Sequence, residues 1–204
     1  MQTAHELFVH ELSDMLDAER KILDALREQS EESSRNDLKT GLEKHRDQTE
    51  GQIQRLEQCF EELETEPQET ECTGIRGIIE EHDNFKEENP PEDLIDYFNV
   101  GAAAKVEHYE IASYEALIRM ADLMEHKKVS KLLNQNLKEE QQMLKKVEQL
   151  STKIEPENLG MEEEEGEMEE VGELDIESDE EAQEGGSRSK HAAAARKPPR
   201  RRAA

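Results

Sequence analysis

Apolar residues recur every three or four positions along four long stretches of this chain, the spacing of one face of an α-helix. The first stretch covers about residues 3–29 and carries Phe8, Leu12, Met15, Leu16, Ile22, Leu23 and Leu26. Thr3 and Glu6 have capping-box spacing, a hydroxyl at the cap and a carboxylate three residues on. Polar residues 30–36 interrupt it, and a second stretch over residues 37–63 carries Leu38, Leu42, Ile53, Leu56 and Phe60. A third comes after Pro90 and Pro91, residues suited to a helix start, and reaches about residue 124 through Leu94, Phe98, Ala104, Ile111, Tyr114, Leu117 and Ile118. The fourth spans residues 126–154, with Val129, Leu132, Leu133, Leu137, Met143, Leu144, Val147 and Leu150, and Glu155-Pro156 ends it.

The connections select a topology. Short loops join the first helix to the second and the third to the fourth, so each pair should be an antiparallel hairpin. Between the hairpins lie residues 66–90, with a short helical piece near 75–85. A helix of about 27 residues is about 40 Å long, and a connection with some helix of its own can return along that length. Two hairpins joined by one long crossover form a ferritin-like bundle. The predicted fold is therefore all-α, an antiparallel four-helix bundle over residues 1–154 with a short helix in its crossover. A weak internal repeat, residues 18–26 against 109–117, sets Glu19 on Glu110.

Composition divides the remainder of the chain. The net charge is -26, with 38% charged and 3% aromatic residues. Residues 1–154 hold 36 acids and 19 bases, residues 155–184 hold 16 acids and no base, and residues 185–204 hold seven bases and no acid. The last two parts read as disordered: an acidic tail and a basic Ala/Pro/Arg-rich end. No stretch approaches the ~18 apolar residues of a membrane span, so no membrane contact is expected. No basic region leading into an apolar run marks a secretory signal. Cys59 and Cys72 alone make neither a disulfide framework nor a zinc site, and a cytoplasmic setting with reduced thiols is expected. The bundle is too acidic for general nucleic-acid binding. The cluster from Lys197 to Arg202 could touch DNA or an acidic partner, an intramolecular contact with the Glu run being the blander alternative.

A buried carboxylate is expensive unless it is paired, protonated or bound to metal. The informative glutamates are therefore those that interrupt an apolar stripe. Glu19 lies between Leu16 and Ile22, and Glu140 between Leu137 and Met143. Glu107 and Glu110, three apart, share one side of the third helix. On the second helix His45, Thr49 and Gln52 lie on the inner stripe, with Glu50 beside it. Inward carboxylates and an imidazole from facing helices suit a dinuclear Fe or Mn site. The candidate ligands are Glu19, His45, Glu50, Glu107, Glu110 and Glu140. For each Glu the alternative is a solvated edge or a salt bridge, and for His45 a packed or hydrogen-bonded ring. Tyr114 and Cys59 read as core, Cys72 as exposed, and His5, His10, His82, His126 and His191 as surface. Ferritin-type sites usually carry Glu-x-x-His on two helices, and this chain has no such motif.

Several strings together resemble the YciE/YciF family of ferritin-like proteins. They are Leu7-Phe8-Val9-His10-Glu11-Leu12-Ser13-Asp14, Asp17-Ala18-Glu19, Lys44-His45 with Thr49-Glu50-Gly51-Gln52, Arg55-Leu56-Glu57-Gln58, and Val106-Glu107-His108-Tyr109-Glu110-Ile111-Ala112-Ser113-Tyr114. The resemblance covers about residues 5–153. It implies the four-helix fold, a homodimer and an association with stress responses. Family members often carry carboxylates where this chain has Gln48 and Leu144, and these substitutions remove two candidate ligands.

Three functions remain open at this level. One is metal binding in the bundle core, handling iron or peroxide under stress. Another is a metal-free helical scaffold. The third is an interaction protein acting through its charged tail. No residue is assigned a catalytic role, and a binding role is expected ahead of an enzymatic one.

Overall fold

The computed structural model describes residues 2–33 and 35–153. The acidic and basic segments expected beyond them lie outside the described residues. The described chain forms five helices: α1 (Ala4–Glu32), α2 (Asn36–Glu62), α3 (Thr73–Glu87), α4 (Glu92–Leu123) and α5 (Lys127–Ser151). α1, α2, α4 and α5 are the bundle, and α3 is the helical piece of the crossover.

The helix ends follow from local chemistry. Thr3 caps α1, its Oγ1 accepting from the Glu6 amide at 3.1 Å. Glu6 reaches back one residue further than in a standard capping box and accepts from the Gln2 amide at 2.6 Å. α2 and α4 end in Schellman motifs, in which amides beyond the helix close back on its last carbonyls. Thr65 N donates to Phe60 O and Glu64 N to Glu61 O; His126 N donates to Ala121 O and Glu125 N to Asp122 O. These turns need one residue in the left-handed region, and Glu64 (φ 51°) and Glu125 (φ 61°) adopt it without being glycine.

Side-chain contacts fix the directions. Phe8, near the start of α1, stacks on His126 after the end of α4, with ring centroids 6.1 Å apart. Glu19 then meets Tyr114, so α1 and α4 run antiparallel. Along α2, Gln52 pairs with Glu140 and Glu62 with Lys128, so α2 and α5 are also antiparallel. The crossover climbs parallel to α1. Ser13 Oγ accepts from Gln68 N at 2.9 Å, Asp17 accepts from Cys72 N at 2.7 Å, and Lys86 pairs with Glu32. α4 packs against α1, α3 and α5, so it cannot keep one apolar stripe opposite one polar face.

The core falls into two apolar clusters. The larger gathers residues such as Phe8, Leu12, Leu16, Leu56, Phe60, Tyr114 and Leu133. The smaller, nearer the other end, holds Leu38, Val100, Met143 and Val147.

Two residues expected at the surface are buried. Cys72 is sealed under the start of α3, its Sγ 3.0 Å from the Tyr109 hydroxyl. His82 packs between α3 and α4, with Nε2 2.8 Å from Asn99 Oδ1. Both follow from α3 lying on α1 and α4 rather than standing clear of the bundle. Gly74 permits that approach, because a Cβ there would meet Tyr109 Cε2 at 2.7 Å. Gly74→Ala should therefore destabilise the chain by about 1–3 kcal/mol in urea unfolding. Glu125→Gly should raise stability by about 1 kcal/mol, since it relieves the left-handed backbone. An unchanged unfolding midpoint in either variant would contradict the corresponding account.

Candidate metal centre

Each bundle helix delivers polar side chains to one level near its middle. α1 supplies Glu19. α2 turns His45, Thr49 and Gln52 inward at spacings of four and three. α4 brings Glu107 and Glu110, again three apart, followed by Tyr114. α5 contributes Glu140 and, four residues earlier, Asn136. All of these are buried, and the four glutamates are wholly so.

One atom from each of His45, Glu107, Glu110 and Glu140 can be chosen so that all lie within 4.8 Å of one another. His45 Nε2 is 3.5 Å from Glu107 Oε1 and 3.7 Å from Glu140 Oε2. Glu19 faces the same group from α1, its Oε1 accepting from the Tyr114 hydroxyl. Of the six candidate ligands, five converge here. Glu50 does not: it is exposed, with Oε1 3.9 Å from the Arg27 guanidinium. The helical turn explains the correction, because Glu50 is one residue beyond the inward Thr49 and so about 100° around α2. Gln48 and Leu144 are partly buried and provide no carboxylate.

The electrostatics of the layer are severe. Burial, and then repulsion from Glu140 and Glu19, push the Glu107 carboxyl up to about 11. Burial also raises Glu110 well above the ordinary range, with Glu140, Glu19 and Glu107 adding to it. Glu19 is raised by burial and by Glu140, against opposing contributions from the Tyr114 hydroxyl and Arg55. Buried polar atoms usually have partners. Here both oxygens of Glu107 and Glu110, one oxygen each of Glu19 and Glu140, and His45 Nε2 accept or donate no hydrogen bond among the described residues.

A supporting set of residues, not singled out as functional by the sequence, holds this arrangement. Gln52 Nε2 donates to Glu140. Asn136 Nδ2 donates to the Tyr114 hydroxyl at 2.9 Å and to the Gln52 carbonyl at 3.3 Å. Arg55 donates to Asn136 Oδ1 and pairs with Glu139. The chain Glu19–Tyr114–Asn136–Arg55 thus ties α1, α4, α5 and α2 together at one level. Only the position of Tyr114 and Asn136 one helical turn from a buried glutamate could have pointed to them.

The model of the family described as domain of unknown function (DUF892) matches residues 3–160. The chain belongs to this family. Protein YciF of Escherichia coli (strain K12) is 36% identical over 141 residues, 69% of this chain and 85% of the relative. The crystal structure of the E. coli stress protein YciF superposes with a TM-score of 0.72 at 32% identity, covering 79% of this chain and all of that one. YcfI of Rhodopseudomonas palustris gives a TM-score of 0.70 at 36% identity, covering 72% and 94%. The all-α bundle and the YciF resemblance are thereby established. Among the described residues no helix is long and apolar enough to cross a membrane.

With chelator present, the stability of the DUF892-family chain should show a distinctive pH dependence. A carboxyl whose folded pKa lies above its ordinary value of about 4.5 keeps a proton that the unfolded chain releases. Its contribution to stability is present below about pH 4.5 and is lost progressively as pH rises toward the folded value, about 11 for Glu107. Glu110→Gln mimics the neutral carboxyl. It should be more stable than the parent at pH 8, gain little at pH 4.5, and lose stability less steeply with pH between them. Parallel curves for the two proteins in urea unfolding would remove this assignment.

Proposed function

We propose that this chain is a stress-associated, ferritin-like protein that binds a pair of Fe or Mn ions in its bundle core. The observation that carries the reading is the set of buried carboxylate oxygens around His45 Nε2 that have no hydrogen-bond partner among the described residues. Oxygen donors with one imidazole suit these metals rather than softer ones. Charge favours a pair over a single ion. Glu19, Glu107, Glu110 and Glu140 carry four negative charges when ionised, which two dications neutralise. His45, Glu107, Glu110 and Glu140 would hold metal directly, and Glu19 would complete the set from α1. Gln52 and Tyr114 would orient Glu140 and Glu19, as partners of metal-binding carboxylates commonly do. A bound iron pair would supply redox chemistry towards oxygen or peroxide. The stress role draws support from E. coli YciF, described as a stress protein, and the homodimer implied by the family resemblance belongs to the same reading.

The competing reading is a metal-free scaffold. Gln52 already donates to Glu140 and Tyr114 to Glu19, so part of the layer is held by hydrogen bonds. Anaerobic loading with Fe(II) or Mn(II), desalting and elemental analysis separate the two. The parent should retain about two ions per chain, and the Glu19→Ala/Glu140→Ala double variant well under half of that. Chelator should lower the melting temperature of the loaded parent. Equal metal content in parent and variant, or no thermal response to chelator, would favour the scaffold.

A further inference from the structure

A cavity of about 260 Å³ lies between α2, α4 and α5, beyond the carboxylate layer and towards the end of the bundle where α1 finishes. Its inner end is formed by His45, Ala103 and Met143, and its outer end by Ser33, Asn99 and Lys153. Leu38, Val100 and Val147 wall it between, so the smaller apolar cluster is also the lining of this space. Along α2, from the level of Leu38 to that of His45, the lining spans about 10 Å. The volume sits just under the usual range of about 300–1,000 Å³ for small-molecule pockets, which limits the occupant to a slim ligand.

The charge of the lining is unusual for this chain. Acids outnumber bases 52 to 26 in the sequence, yet no Asp or Glu among the described residues lines the cavity, while Lys146 and Lys153 do. Two buried polar groups at the outer end also lack partners among the described residues. Ser33 Oγ is unpaired, and Asn99, whose Oδ1 is engaged by His82, has an unpaired Nδ2. Asn99 is 4% exposed. A hydroxyl and an amide N–H at the same end as the Lys153 ammonium are donors that call for an anionic acceptor, while Lys146 stands nearer the carboxylate layer, where its charge acts on Glu107. The apolar walls leading inward call for a hydrocarbon.

We propose that this cavity is a binding site for a medium-chain fatty acid. The carboxylate sits at the outer end, against Ser33, Asn99 and Lys153. The alkyl tail runs between α2, α4 and α5 and ends near His45. A neutral alcohol of the same length fills the walls but forfeits the charge-assisted hydrogen bonds, and acetate has the head group without the tail. The site does not require metal in the carboxylate layer. A bound tail would, however, lie against His45 and close that layer from this end.

The test is calorimetric titration of the full-length, chelator-treated chain with decanoate, decanol and acetate, below micelle-forming concentrations. Decanoate should bind, decanol should be weaker by about tenfold or more, and acetate should not bind. Lys153→Glu, at an exposed position after α5, should weaken decanoate by about tenfold and leave decanol unchanged. Ala103→Leu, which fills the inner end, should abolish binding of both while keeping the parental helical signal. Should Ala103→Leu fail to fold, the decanoate–decanol comparison and Lys153→Glu still decide. Equal affinities for decanoate and decanol, parental decanoate affinity in Lys153→Glu, or no decanoate binding by the parent would each overturn the proposal. Because metal is absent throughout, none of these outcomes depends on metal binding by the carboxylate layer.

Discussion

Four carboxylates brought to one buried level dominate the energetics of this bundle. Desolvating them is unfavourable, and each makes the next harder to ionise. The chain must therefore protonate them, hydrogen-bond them or place cations among them, and the surrounding residues show parts of this being done. Tyr114 and Gln52 each satisfy one oxygen, Asn136 holds the Tyr114 hydroxyl and the Gln52 backbone carbonyl, and Arg55 anchors Asn136 from the half-buried rim. What these contacts leave unmatched is concentrated around His45 Nε2. The larger apolar cluster runs past this layer along α1, from Phe8 to Leu26, while the smaller, more loosely filled one lies on one side of it, between α2, α4 and α5.

The crossover completes the enclosure from α1 and α4. It is clamped along α1 by backbone amides donating to Ser13 and Asp17, and its helix settles onto α4 where Gly74 leaves room for Tyr109. An element that sequence inspection treats as a connection thus buries Cys72 and His82. It also covers the seam between the two helices that carry Glu19, Glu107 and Glu110. Covering matters because water reaching those carboxylates would relieve the very desolvation that sets their behaviour.

Much of this was legible in the amino-acid order. Helical periodicity located the bundle helices to within a few residues, and loop lengths gave their pairing, because both depend on local geometry. Glu19 and Glu140 could be found because each breaks an otherwise apolar stripe. Glu107 and Glu110 emerged from their spacing of three. Glu50 was misplaced because proximity in sequence to an inner stripe is not proximity in angle; one residue rotates the side chain out to Arg27. His82 and Cys72 were misjudged because their burial depends on where α3 docks. The Arg55–Asn136–Tyr114 chain was invisible for a related reason. Its members are separated by tens of residues and acquire meaning only when α2, α4 and α5 meet.

The alternation of helix directions has a further electrostatic consequence. α1 is antiparallel to α4, and α2 to α5, and the carboxylate layer crosses all four near mid-length. Backbone dipoles aligned in opposite senses largely offset one another, and the field of a helix terminus fades within about a turn. Glu19, Glu107, Glu110 and Glu140 therefore sit where the peptide backbone offers almost no positive potential. Many anion sites rest on helix N-termini and need no other counter-charge. This fold denies its glutamates that option, so any charge they carry must be balanced by groups or ions at the layer itself.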